Sequence, residues 1–219
     1  MTIPNKYSAN LLREYNFLTG SLSDQANANI CTVNGGANFA RGTQGTVMNT
    51  DGTTGYLSHA AVNLTGDFTM IAYIKARTID GSDNAILTTD ITNPARLEFN
   101  NGNQIRILLQ DLTPISVTYS ITAADYLNKW LVLAATRSGN TTTIYVDGVA
   151  VASDTLTGTL NSNMEYVGAL SGTSRFFNGN TAYAAYYSAA ITAADMQTYY
   201  AELRNMNYPS KPSAKIKVS

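Results

Sequence analysis

Few residues in this 219-residue chain have the type and spacing needed to break bonds. Cleaving a glycosidic bond takes two carboxyl groups that face one another across it. Glu98 and Glu165 each stand alone among apolar and amide neighbours, while Glu14 and Glu202 lie near the terminal elements and read as surface charges. His59 is the only histidine, so a Ser-His-Asp arrangement would have to be built around it. Ser58 beside it points the other way in an extended chain and supports no triad. Cys31 is the only cysteine, which leaves no internal disulfide and no cysteine-based metal site. These residues predict a protein that is not an enzyme.

Residues suited to holding a ligand are more plentiful. Sugars are held by stacking on aromatic faces and by amide and carboxylate hydrogen bonds, and the chain has 14 tyrosines and many asparagines. Tyr183, Tyr186 and Tyr187 crowd a late strand, with Arg175 and Asn178 in the loop before it. These five form the candidate ligand site. The same tyrosines serve equally well as packing between sheets or against another subunit, because a phenol suits a partly buried boundary. Trp130 opens a strongly apolar strand and belongs in the core. Asp51, Asp147 and Asn180 are the candidates for holding a metal. A hard cation needs several oxygen ligands in one shell, and each of these three residues also has an ordinary turn role.

Charged residues make up 13% of the sequence and the formal net charge is -1. That balance provides no electrostatic case for nucleic acid or an anionic membrane. No apolar run approaches a membrane span. Lys211, Lys215 and Lys217 form the only basic cluster, and read as a solubilising tail. The first residues lack the apolar stretch and cleavage site of a secretory signal. Asn63-Leu-Thr and Asn140-Thr-Thr match glycosylation sequons by chance in a chain so rich in Asn and Thr. An extracellular style of surface without an export signal fits a virion, assembled in a host cytoplasm and released by lysis.

The elements that must position these residues are mostly strands. Residues 68–76 alternate Phe68, Met70, Ala72 and Ile74 on one face with Thr69, Ile71, Tyr73 and Lys75 on the other, a central strand covered on both sides. Residues 95–99 and 104–109 form a hairpin across an Asn-Gly turn, with Arg106 directed to solvent or a groove. Residues 117–119 add a shorter strand, and residues 130–151 two extended runs joined by Ser-Gly-Asn and closed by Asp-Gly. Asn-Gly or Asp-Gly recurs at Asn34, Asp51, Asp80, Asn101, Asp147 and Asn178, so short strands follow one another through tight turns. Ile-Thr-Ala-Ala-Asp occurs at 121–125 and 191–195 as a helix start, with Thr capping and Asp at the third helical position. The second copy should run to Asn205 with Met196, Tyr199, Tyr200 and Leu203 inward, and the first should make one turn. Residues 21–46 read as loop.

Trp130-Leu-Val-Leu-Ala-Ala-Thr followed by Thr143-Ile-Tyr-Val-Asp-Gly-Val resembles the central hairpin of concanavalin A-like jelly rolls, nearest the laminin-G-like and pentraxin-like members. Thr50-Asp-Gly-Thr-Thr-Gly-Tyr-Leu, Asp67-Phe-Thr-Met-Ile-Ala-Tyr-Ile-Lys, Tyr166-Val-Gly and Phe177-Asn-Gly-Asn-Thr-Ala-Tyr resemble further pieces in the family's order, covering roughly residues 50–204. The resemblance implies an all-β, two-sheet antiparallel jelly-roll sandwich with a short C-terminal helix, whose concave face and apical loops bind glycans or proteins in many relatives. It implies calcium near the Asp51 turn in many members, though Thr53 and Thr54 stand where calcium binders supply acids. Relatives that cleave glucans carry a Glu-x-Asp-x-x-Glu pattern that this sequence lacks.

The expected organisation is a docking segment at 1–20, a jelly roll at 21–205 and a tail at 206–219. The expected function is a non-catalytic decoration or fibre protein of a bacteriophage-like particle. Its partners would be other virion or structural proteins and further copies of itself. The alternative is a glycan-binding adhesion module in an extracellular or cell-surface setting. Neither reading involves nucleic acid or insertion into a membrane.

Overall fold

A strand that is apolar on both faces is stable only between two layers, and residues 68–76 lie in that position. The computed structural model describes residues 5–27, 29–42, 45–90 and 95–205. Its first half contains β1 (Leu11–Asn16), β2 (Thr32–Asn34), β3 (Asn38–Gly42), β4 (Gly45–Asp51), β5 (Tyr56–Leu64), β6 (Phe68–Ala76), β7 (Asn84–Thr89) and β8 (Ala95–Asn100). Then follow β9 (Gln104–Leu109), β10 (Ser116–Ser120), α1 (Ala123–Tyr126), β11 (Trp130–Ser138), β12 (Thr141–Val146), β13 (Val149–Thr155), β14 (Ser162–Val167), β15 (Asn178–Tyr187) and α2 (Ala193–Asn205).

Sheet one has the order β13-β12-β11-β6-β15-β4-β3, with β1 also paired to β15; sheet two has the order β10-β9-β8-β7-β14-β5-β2. The pairings are antiparallel. β4 pairs with β15 through Asn178–Thr181, and β1 takes over the same strand from Tyr183 to Tyr187. The chain is therefore the expected two-sheet jelly roll with a short C-terminal helix.

Two apolar layers result. Between the sheets, Phe68, Met70, Ala72 and Ile74 meet Leu97, Phe99, Ile105 and Ile107. On the outer side of sheet one, Ile71, Tyr73, Val132 and Ala134 are covered by Met196, Tyr199 and Leu203 of α2 and by Tyr7. Each fully buried large side chain contributes about 1.5–3 kcal/mol. The second layer explains why both faces of β6 are apolar.

The helix start at Thr192 forms as its residues dictate. The Asp195 amide donates to Thr192 Oγ1 at 3.3 Å, and the Tyr7 hydroxyl donates to Asp195 at 2.7 Å. Ile191 and Met196 are both buried beside this cap. At Thr122 the helix makes its expected single turn, but the hydroxyl cap is missing. The Asp125 amide donates to the Thr122 carbonyl instead, so it needs no hydroxyl.

Three expectations require correction. Residues 21–46 are not simply loop; they contain β2 and β3, anchored by buried Asp24, which accepts from Arg13 at 2.9 Å and from the Glu14 amide at 2.8 Å. Glu14 is not a surface charge: it is buried in β1 and accepts from Tyr183. Glu98 is not isolated, because Arg96 and Arg106 both donate to its Oε1. The expected tail at 206–219 lies outside the described residues.

Candidate functional site

Three loops gather at one end of the sandwich, following β4, β6 and β14. Between them opens a cleft of about 630 Å³, with Asp51, Asp80, Asp83, Asn84, Arg175 and Asn178 in its wall. Each wall residue is held by local chemistry.

Asp51 ends β4 and organises the turn that follows. Its Oδ1 accepts from the amides of Thr53, Thr54 and Gly55, each at 2.9 Å, and its Oδ2 accepts from the Thr54 hydroxyl at 3.1 Å. The amide of Thr54, then that of Thr53, holds this carboxyl far below the usual range. Gly36 lies so near that a Cβ there would meet Asp51 Oδ2 at 2.1 Å. Asp80 turns the next loop, with the Ser82 hydroxyl and the Ser82 amide donating to Oδ1 and lowering its pKa in that order.

Asn178 stands opposite Asp51 in the β15–β4 register. Behind it Arg77 distributes its guanidinium among Asn178 Oδ1 at 2.9 Å, Asn49 Oδ1 at 2.7 Å and the Thr50 carbonyl. Arg77 therefore clamps β4 and β15 at the end of β6.

Arg175 pairs with Asp83 across the cleft wall. The Asn101 amide donates to the other Asp83 oxygen at 3.1 Å, and Arg106 Nη2 lies 3.6 Å from the oxygen that Arg175 uses. Arg106 in turn donates to Glu98, linking the loop to the outer face of sheet two. Arg175 has φ of 54° and its carbonyl accepts from the Ala85 amide at 2.8 Å, so its backbone is fixed as well. Next to it Phe176 is half-buried, 6.3 Å ring to ring from Tyr56, which lies 6.0 Å from Tyr166.

Of the five ligand candidates, Arg175 and Asn178 come together in this cleft. Tyr183, Tyr186 and Tyr187 do not, and are corrected as surface platforms: all three have 0% exposure. Tyr183 and Tyr187 face the layer under α2, where their hydroxyls meet that of Tyr199. Tyr186 faces the inter-sheet core, beside His59. Trp130 is half-buried against Tyr73, 5.0 Å away.

Asp51, Asp147 and Asn180 do not converge on a cation. Asp147 lies in the β12–β13 turn with φ of 49° and accepts from the Val132 amide at 2.8 Å. In the sheet order it is four strands from β4, or about 19 Å at the usual strand spacing. Asn180 donates to Asn49 at 3.3 Å in the Arg77 cluster. Among the described residues no three His, Cys, Asp or Glu are grouped to hold a metal ion.

Reasoning from sequence missed Asp80, Asp83, Asn84, Phe176 and Tyr56. The dense polar run Asp80-Gly-Ser-Asp-Asn84 between two apolar strands was the signal available for the first three.

The two-sheet architecture is that of the concanavalin A-like jelly rolls. Residues 51–197 match the family described as the concanavalin A-like lectin/glucanases superfamily, of laminin G type, and the chain belongs to it. No curated protein sequence matches it. Among solved structures it is similar to domain 4 of AbnA, a GH43 extracellular arabinanase from Geobacillus stearothermophilus, in complex with arabinotriose. The identity is 16% and the TM-score 0.67, covering 87% of this chain and 98% of that domain. It is also similar to the binding domain of Paraclostridial Mosquitocidal Protein 1, at 14% identity and TM-score 0.75, covering 90% of this chain and 53% of that one. The botulinum neurotoxin serotype D binding domain matches at 14% identity and TM-score 0.70, covering 92% and 53%. The chain thus spans about half the length of these two toxin binding domains. At such identities the likeness shows the fold alone.

Proposed function

We propose that this protein is a non-catalytic, glycan-binding module that presents the Asp51–Asp83–Arg175 cleft to its ligand in an extracellular or cell-surface setting. The observation that carries this reading is the cleft itself: concave, polar, fixed by hydrogen bonds on each wall, and edged by the half-exposed Phe176. A ring face and a few fixed polar groups are what sugar recognition requires. Similarity to a domain solved with arabinotriose and to toxin binding domains supports the same reading.

The chemistry of the carboxylates argues against hydrolysis. A glycosidase needs one carboxylic acid held protonated near neutral pH. Asp51 and Asp80 are shifted the opposite way, and Asp83 is engaged by Arg175. Glu165 is raised by burial and then by Asp90, but it lies on β14 and not in the cleft wall.

A glycan array followed by calorimetry tests the proposal. Binding to a defined set of oligosaccharides should occur, weaken about tenfold or more in Arg175→Ala and Phe176→Ala, and release no reducing sugar. Wild-type binding undiminished by either change would move the site elsewhere.

The second reading places the same module on a bacteriophage-like particle as a decoration or fibre domain. The charge-poor composition favours it, since interfaces with many neighbours avoid desolvating charge. A homo-oligomeric mass in solution and flanking capsid or tail genes would support that setting; a strictly monomeric protein beside secreted enzymes would remove it.

A further inference from the structure

The proposed cleft has a charge pattern and a floor that together define the class of glycan it accepts. Its wall holds three carboxylates, Asp51, Asp80 and Asp83, against the single guanidinium of Arg175. That guanidinium is already paired with Asp83. Asp51 and Asp80 are both held in the charged form by hydrogen bonds donated within their own turns. Arg77 offers no second cation, because its donors are directed to Asn49, Thr50 and Asn178 behind the wall. An anionic group entering here would meet excess negative charge and, among the described residues, no free cationic partner, and like charges brought together across an interface weaken binding.

The floor supplies an independent observation. Asn84 is directly opposite Phe99 in the β7–β8 register, and opposed residues share a face of the sheet. Phe99 lies in the core between the sheets, so Asn84 sits at the mouth of the sandwich under the loops. It is 4% exposed, and its Oδ1 has no hydrogen-bond partner. A buried amide oxygen without a donor is destabilising, and a ligand hydroxyl that reached it would recover that cost.

We infer that the cleft selects an uncharged glycan, with a sugar hydroxyl donating to Asn84 and with sialylated, sulfated or uronate counterparts rejected. This rests on the glycan-binding reading above and narrows it to one class of ligand.

The test uses an array carrying neutral oligosaccharides beside sialylated, sulfated and uronate forms of the same cores, with calorimetry on the strongest neutral binder. Acidic counterparts should bind about tenfold more weakly or worse. The Kd of the neutral binder should change less than about twofold between 50 and 500 mM NaCl. Asn84→Leu should lose binding with its melting transition retained. Should that variant unfold, Asp80→Asn is decisive instead: it should narrow the gap between acidic and neutral forms several-fold. An acidic glycan that binds more tightly than its neutral parent, weakens steeply with salt and depends on Arg175 would overturn the inference and leave glycan binding standing. Failure of every glycan, neutral and acidic, would overturn the functional reading itself.

Discussion

Tyr183 donates its hydroxyl hydrogen to Glu14 Oε1 at 2.8 Å, joining β15 to β1 across 169 positions of sequence. The same hydroxyl meets that of Tyr199 on α2, which also contacts Tyr187 at 2.7 Å. One buried chain of polar groups thus ties the first strand, the last strand and the C-terminal helix. Burial raises the Glu14 carboxyl, while the Tyr183 hydrogen bond acts the other way.

Removing that donor should be costly. Tyr183→Phe leaves a buried carboxyl oxygen short of a partner and should lower stability by about 2 kcal/mol. Glu14→Gln retains an acceptor and should cost less. Urea unfolding of the two variants measures the difference, and a Tyr183→Phe variant as stable as the wild type would show that the hydroxyl contributes nothing.

His59 makes the fold sensitive to acid. It is 8% exposed, its Nδ1 lies 3.0 Å from the Ala60 carbonyl and its Nε2 lies 3.4 Å from the Tyr186 hydroxyl. A carbonyl only accepts, so Nδ1 carries the hydrogen, and burial favours the neutral ring. Burial lowers its pKa from 6.5 to about 4. On acidification the unfolded chain binds the proton first, so this stabilisation is present above pH 6.5 and is lost as the pH falls towards 4. The loss is roughly 3 kcal/mol. Glu14, raised in the fold, takes up its proton with the opposite sign and offsets part of this at the acid end. Denaturant midpoints across that window should fall in the wild type and fall less in His59→Gln.

Glycine substitutions should separate steric from conformational cost. A Cβ on Gly35 would meet the Thr54 carbonyl oxygen at 2.0 Å, at φ of +57°. Gly139 has φ of +56° with nothing within 4 Å, and Gly66 has neither constraint. Gly66→Ala should be near neutral, Gly139→Ala should cost about 1 kcal/mol, and Gly35→Ala should cost more than either and loosen the Asp51 turn. Thermal denaturation ranks the three; any other order contradicts the geometry.

Glu98 sits between two arginines with 0% exposure, its Oε1 accepting from Arg96 at 3.0 Å and from Arg106 Nε at 2.7 Å. Its replacement by Ala leaves Arg96 buried without a counter-charge, at a cost of about 3 kcal/mol. Because Arg106 also lies near Asp83, cleft binding should weaken in the same variant. Restored stability on adding Arg96→Met would trace the stability loss to the stranded cation.

Much of the scaffold was legible because local signals agreed with one another. In residues 68–76 and 130–151, sheet propensity, alternation and Asp-Gly turns all indicated the same strands, and Thr192 with Asp195 marked the helix start. The site was less legible because it depends on which layer covers which face. Tyr183, Tyr186 and Tyr187 suited a ligand site and packing equally in sequence, and in the fold α2 covers two of them and the opposite sheet the third. Arg175 and Asn178 were candidates from their loop and both line the cleft, while Asp83 was not a candidate, since only the tertiary fold brings residues 83, 101, 106 and 175 together. Asp147 and Asp51 belong to turns of the same type, and no local signal shows that they lie four strands apart.

The Arg77 clamp has a thermodynamic consequence. With Asn49, Thr50 and Asn178 already held by one guanidinium, much of the rim's conformational freedom is lost during folding and not when a ligand arrives. Association should then resemble docking to a rigid body, with little ordering entropy to oppose it. A weak sugar contact, repeated over several displayed copies, would translate efficiently into avidity, because no copy would have to reorganise before engaging.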